Sequence, residues 1–310
     1  MSLERIVSSI LSLGVTLSTP LAIAGIGEVI SERAGVIDLG IDGIMLLGAF
    51  IGFHVSLQTG NTYLGYLAGV GVGVLMGLIL AVLSVYLKLN QAITGMGLYF
   101  LGFGLSDFFY RTIYGEKEVY LPPPTPLSVP VLANIPVIGP SLFQQLDMVY
   151  FMYALVPLAW LLINRTKLGL WIRSVGENPK AADAMGVNVS MIQTVSVLVG
   201  AGLAGLAGAF LSIGITQVFY ENLTYGIGFI AIGLVYFGKW SPVRTFAGAL
   251  LFGLSWSVAI STQSYFNAIG RPDLVYFLLA LPYLIITLAL VIVSRQARGP
   301  KWLGRPYIRE

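Results

Sequence analysis

The feature that most constrains this chain is the spacing of its charges. Nine apolar runs follow one another with only short polar breaks, over residues 6–30, 43–57, 63–87, 92–110, 148–163, 191–213, 225–237, 243–262 and 274–294. A helix needs about 20 apolar residues, and no fewer than about 17, to cross a bilayer. In hydrocarbon a helix satisfies its own backbone, so runs of this length point to spanning helices. Of the 310 residues, 56% are hydrophobic and 10% charged, whereas soluble domains carry roughly 25% charged residues. The fold expected is an all-α integral membrane protein. It is a polytopic bundle of about nine transmembrane helices in a single domain over 1–310, surrounded by membrane lipid. The 37 glycines suit helices packed closely in a membrane.

Lys and Arg set the orientation. With the N-terminus outside and the C-terminus inside, Arg33, Lys88, Arg165, Lys167, Arg173, Lys180, Lys239, Arg244, Arg295, Arg298, Lys301, Arg305 and Arg309 fall inside. Only Arg5, Arg111, Lys117 and Arg271 remain outside. The tail 295–310 is then a basic cytoplasmic segment. The net charge of +3 follows from this topology and does not point to nucleic acid. With no cysteine, disulfides and thiolate metal sites are excluded. The N-terminus has no basic leader region, so no cleaved signal peptide is expected. The longest connection, 111–146, holds seven prolines between Pro122 and Pro140 and is expected to be extended.

Residues 165–190 form a polar loop between two long apolar runs. Within it, Asn178 suits a helix N-cap, Pro179 the first helical position and Gly186 the position after the last turn. The helix predicted over 179–185 has about two turns and cannot be stable alone. It is either an ordinary loop turn or a small element that docks on something larger.

Two runs, 43–57 and 225–237, are unusually short, and the first must borrow from the polar interruption at 31–42 to span, which places Asp38 or Asp42 near or within the membrane boundary. Each follows a polar, glycine-containing lead-in, and in this topology they run in opposite directions. Paired interrupted spans of this kind mark the substrate path of a transporter, although both could be span ends with interfacial polar residues. Asp38, Asp42 and Glu221 would be costly facing lipid, which favours the path reading. Asn90, Gln91, Gln217, Phe219, Tyr220 and Asn222 could bind a ring by stacking and hydrogen bonds. His54, the one histidine, reads as interfacial rather than as a metal ligand. No energy source is visible. The run 233–240, GLVYFGKW, approaches a phosphate-binding loop, but Trp240 stands where the Mg²⁺-binding hydroxyl belongs. Neither a proton-relay ladder nor an enzyme triad is present.

The run SERAGVIDLGIDGIMLLGAF at 31–50, GENPKAADAMGV at 176–187, ENLTYGIGFIAIGLVYFGKWSPV at 221–243 and the terminal LGRPYIRE resemble the ABC importer permeases for nucleosides, simple sugars and branched-chain amino acids, the nucleoside-type branch most of all. The resemblance implies that Arg173, Gly176, Glu177, Asn178, Pro179, Ala182 and Gly186 belong to a coupling loop that docks on a separate ATPase. It also implies that ATP and Mg²⁺ are bound by that partner, with no cofactor in this chain. An extracytoplasmic binding protein and a second permease subunit complete the assembly, a heterodimer being favoured over a homodimer. The expected function is import of a nucleoside or similar ribose-bearing solute across a prokaryotic cell membrane, without enzymatic activity in this chain. A simple sugar or a branched-chain amino acid is the alternative cargo. An ion-coupled secondary carrier is the alternative mechanism.

Overall fold

Most of the polar breaks carry a residue that can end one helix and start the next. Asn61, Asn90, Thr166, Asn178 and Asn188 each accept hydrogen bonds from backbone N–H groups in the first turn of the helix that follows. These caps satisfy donors that would otherwise be orphaned at the helix start.

The computed structural model describes residues 3–115, 117–269, 272–294 and 298–308. Twelve α-helices are present among them: α1 (Leu3–Arg33), α2 (Ile41–Thr59), α3 (Thr62–Ala81), α4 (Gln91–Tyr114), α5 (Ile138–Phe143), α6 (Asp147–Arg165), α7 (Lys167–Glu177), α8 (Pro179–Ala184), α9 (Val189–Phe210), α10 (Ile227–Phe237), α11 (Pro242–Ala268) and α12 (Pro272–Ser294). Single π-helical turns, Val82–Tyr86 and Leu211–Ile215, extend α3 and α9. A two-residue antiparallel pair joins β1 (Leu127–Ser128) to β2 (Gln144–Gln145).

Among the described residues, eight helices are long and apolar enough to cross a membrane. The seventh apolar run forms only the 11 residues of α10, about 16 Å at 1.5 Å per residue, against a hydrocarbon core of about 30 Å. The nine expected segments are therefore eight spanning helices and one short one. The polar interruption is also smaller than its composition implied. Ser31, Glu32 and Arg33 continue α1, and Ser31 and Glu32 are buried. The proline-rich connection is not simply extended, since it contains the β1–β2 pair, a 3₁₀ turn at Leu132–Asn134 and α5. Arg271, Arg295 and Arg309 lie outside the described residues.

The bundle is built around α9, which packs against α1, α2 and α3. Small residues allow this. A Cβ on Gly48 would lie 2.5 Å from the carbonyl oxygen of Gly205, and one on Gly208 would overlap the Met45 carbonyl. Gly205 in turn faces Gly69 and Gly73, and Gly200 faces Gly27. Close backbone approach through glycine is how membrane helices gain packing where lipid supplies no hydrophobic drive. Gly208→Val is expected to lower the melting temperature of the detergent-purified protein, since overpacking costs about 1–3 kcal/mol or more. Gly71→Ala, which meets open space, should leave it unchanged, and equal melting of the two variants would refute this account of the core.

Candidate functional site

The lead-in to α2 turns back into the bundle. The N–H groups of Ala34 and Gly35 donate to the carbonyls of Ser31 and Glu32 at 3.0 and 2.9 Å, and Gly35 takes a φ of +90°. Side chains then meet the rest of the turn. Ile37 N–H donates to Gln91 Oε1 at 3.0 Å, Asp38 N–H to Glu28 Oε1 at 2.9 Å, and Gly40 N–H to Asp38 Oδ1 at 2.8 Å. Each of these bonds answers a backbone group that lipid could not satisfy. Gly43 sits against Tyr99, eight residues or about 12 Å along α4. So α2 begins well inside the layer spanned by its neighbours.

α10 begins beside it. Asp42, with no exposed surface, accepts a hydrogen bond from Thr224 Oγ1 at 2.9 Å and another from Gly228 N–H at 2.8 Å. Gly228 lies in the first turn of α10, where free N–H groups and the helix dipole favour a carboxylate. A Cβ at Gly228 would come within 2.6 Å of the Asp42 backbone, so glycine is needed for this approach. The two short segments that the sequence singled out are thus joined by a buried carboxylate.

The candidate path residues do not gather in one place. Asp38, Asp42 and Gln91 belong to the interior turn, but Asn90 is exposed and caps α4. Gln217, Phe219, Tyr220, Glu221 and Asn222 lie in the connection from α9 to α10, at the end opposite Arg33. Gln217 closes the π turn by donating to the carbonyls of Gly214 and Ile215, both at 2.9 Å. Phe219 is buried among Phe50 and Tyr110, with ring centroids 5.4 and 5.2 Å away, so its face is already covered. Glu221 pairs with Arg111 at 2.6 Å, and Arg111 also pairs with Asp107 at 2.8 Å. The Asn222 carbonyl accepts from Tyr225 N–H at 2.9 Å. Tyr220, Glu221, Arg111 and Tyr120 line a cavity of 440 Å³ that is open at this end.

The polar loop over 165–190 lies at the Arg33 end. Asn178 caps α8 through Ala181 N–H at 3.1 Å, and Gly186 has a φ of +83°, as the punctuation required. Pro179 and Ala182 are buried against the chain's own core, whereas Glu177, Ala181, Ala184 and Met185 face outward, Met185 being 85% exposed. Arg173 is half-buried, and Gly176 backs directly onto the Arg33 carbonyl.

Two groups of residues escaped the sequence reading. Glu28 and Glu32, one helical turn apart on α1, are buried, and Trp240 Nε1 donates to Glu32 at 2.5 Å. Their i, i+4 spacing in an apolar run was the available signal. The tail also does more than carry charge. Trp302 N–H donates to the Gly176 carbonyl at 2.9 Å, Gly304 N–H to that of Gly35 at 3.2 Å, and Tyr307 Oη to Asp183 at 2.9 Å. Tyr307 shares a small core with Ile172, Val175, Ala182 and Trp240. The aromatic residues of an otherwise basic tail were the sign of this docking.

Residues 10–293 match the family model described as the permease component of branched-chain amino acid transport systems. The chain belongs to this permease family. A guanosine ABC transporter permease of Bacillus subtilis is 33% identical, over 100% of this chain and 99% of its own. A nucleoside ABC transporter permease of Lactococcus lactis is 34% identical, over 94% of each chain. A Haloferax volcanii protein whose name assigns it provisionally to glucose ABC transport is 40% identical, over 83% of this chain and 78% of its own. No solved structure matches. The chain is an ABC transporter permease subunit, a multi-pass protein of the prokaryotic plasma membrane and a transport component.

Asp42→Leu would leave Thr224 and Gly228 without their acceptor, at about 1–3 kcal/mol for each buried unsatisfied group. Its melting temperature in detergent should fall by several degrees, while Asp42→Asn, which keeps an acceptor oxygen, should stay near the parent. Indistinguishable melting of all three would remove Asp42 from this structural role.

Proposed function

We propose that this permease imports a nucleoside or similar ribose-bearing solute, and that the path passes the junction where α2 and α10 begin. The observation that carries the cargo is end-to-end similarity to permeases named for guanosine and nucleosides. A simple sugar is the second reading, supported by the higher identity to the Haloferax protein. Interrupted helices with free backbone groups near mid-membrane are the usual place for a polar solute to be handled. Asp38, Asp42 and Gln91 are the residues of this reading at the interior turn, and Tyr220, Glu221 and Asn222 those at the entrance.

In the same reading the Arg33 end is cytoplasmic, as the positive-inside rule requires. A separate ATPase, which carries ATP and Mg²⁺, docks on the outward face of α8, and an extracytoplasmic binding protein delivers solute at the opposite end. The second permease subunit is a related chain rather than a second copy. Co-purification of two differently tagged copies of this chain in one active complex would overturn that pairing.

Uptake of labelled guanosine, ribose and glucose by cells producing the complete transporter tests the cargo. Guanosine uptake that excess nucleoside abolishes and excess glucose spares is the expected result, and the reverse pattern supports the sugar reading. Met185→Asp places a charge on the outward face of α8 and should reduce uptake about tenfold or more, equivalent to about 1.4 kcal/mol of lost docking, without changing the melting temperature of the isolated chain. Unchanged uptake would show that this face is not where the ATPase couples.

A further inference from the structure

The connection between α4 and α6 has a composition that does not suit a loop in water. From Val119 to Leu146 there is no charged residue. Within it, Pro130-Val131-Leu132 and Pro136-Val137-Ile138 repeat one pattern, and each closes on itself. Leu132 N–H donates to the Pro130 carbonyl at 2.9 Å, and Ile138 N–H to that of Pro136 at 2.7 Å. The central valines have φ of +72° and +65°, and turns of this three-residue type are rare and strained. Apolar side chains point away from the protein around them: Val131 is 79% exposed, Ile138 51%, and Leu127, Leu132 and Ile135 are exposed as well.

The depth of this element follows from its contacts with α1. Gln145 Nε2 donates to Ser12 Oγ at 3.0 Å, and Thr16 Oγ1 donates to Gln145 Oε1 at 2.9 Å. Farther along, Ser8 Oγ donates to the Val137 carbonyl at 3.3 Å. Thr16 and Ser8 lie 17 and 25 residues from Arg33, about 26 and 37 Å along the helix. The hydrocarbon core is about 30 Å thick, and headgroups bring the bilayer to about 40–45 Å. Gln145 is thus level with the far edge of the hydrocarbon, and the turn at Val137 sits in the headgroup layer. Tyr150 Oη, which donates to the Leu127 carbonyl at 2.8 Å, stands where interfacial tyrosines concentrate.

We propose that residues 127–143 form an interfacial cap that rests on the bilayer, with Val131, Leu132, Ile135 and Ile138 immersed at the boundary between headgroups and acyl chains. Phospholipid is the occupant because the segment has no charge with which to steer or orient a protein partner, whereas an apolar face at this depth needs only lipid. The inference depends on the chain spanning a membrane and not on its cargo.

The absence of cysteine allows a direct test. Nitroxide labels are placed on Val131→Cys, Ile135→Cys and, as an aqueous reference, Lys117→Cys, each in the full chain reconstituted in phosphatidylcholine vesicles. Power saturation then compares collision with oxygen, which concentrates in lipid, and with a nickel chelate, which stays in water. The oxygen-to-nickel ratio is expected to be several-fold higher at 131 and 135 than at 117. Equal ratios overturn the proposal. So do labels at 131 and 135 that are reached by nickel in vesicles and shielded only when another protein is added. Should either cysteine variant fail to fold, Ile138→Trp gives an independent reading. Quenching of its added fluorescence by brominated lipid supports the cap, and the absence of quenching overturns it.

Discussion

Two helices of this permease, α2 and α10, begin against each other in the buried interior of the bundle, and one carboxylate joins them. The start of a helix exposes N–H groups that lipid cannot satisfy. Asp42 supplies an acceptor for the first turn of α10 and is itself part of the first turn of α2. The bond from Thr224 completes its coordination. A buried carboxylate is expensive unless it is hydrogen-bonded, so charge and interruption each make the other tolerable. Gly43, Gly102 and Gly228 have no side chains, so the surrounding backbones can close on this point.

The remainder of the bundle is arranged to hold that junction. α9 runs through the centre with glycine on several faces, and it brings α1, α2 and α3 to backbone contact. Such contacts have few alternative registers, because a shift by one residue would place a side chain where only hydrogen fits. At the Arg33 end a smaller core ties α7 and α8 to the end of α1 and to Trp240. Trp240 reaches Glu32, and Glu28 reaches Asp38. A continuous set of packed and hydrogen-bonded groups thus runs from α8 to the interior turn.

Much of this was legible in the sequence, for identifiable reasons. Apolar run length located all eight helices long enough to span among the described residues, because that signal depends only on bilayer thickness. The cap of α8 was legible because Asn178, Pro179 and Gly186 act locally. The short runs were recognised as a pair, but not the bond between them, since Asp42 and Gly228 are far apart in the chain and spacing says nothing of contact. Phe219 looked like a stacking surface because composition shows an aromatic ring and not what covers it. Ala182 was assigned to the docking loop by resemblance, and its burial was not legible because small size suits both a docking face and a packed one. The tail read as charge alone, since its contacts are made by backbone and by two aromatic residues that topology rules do not weigh.

That tail has a consequence for how the molecule is made. Gly35, Gly176 and Asp183 are its anchors, and all three leave the ribosome well before Trp302 and Tyr307. During synthesis the membrane helices can insert and pack while the Arg33 end still lacks its last contacts. The surface that α7, α8 and the tail build together is therefore completed late, after the transmembrane part.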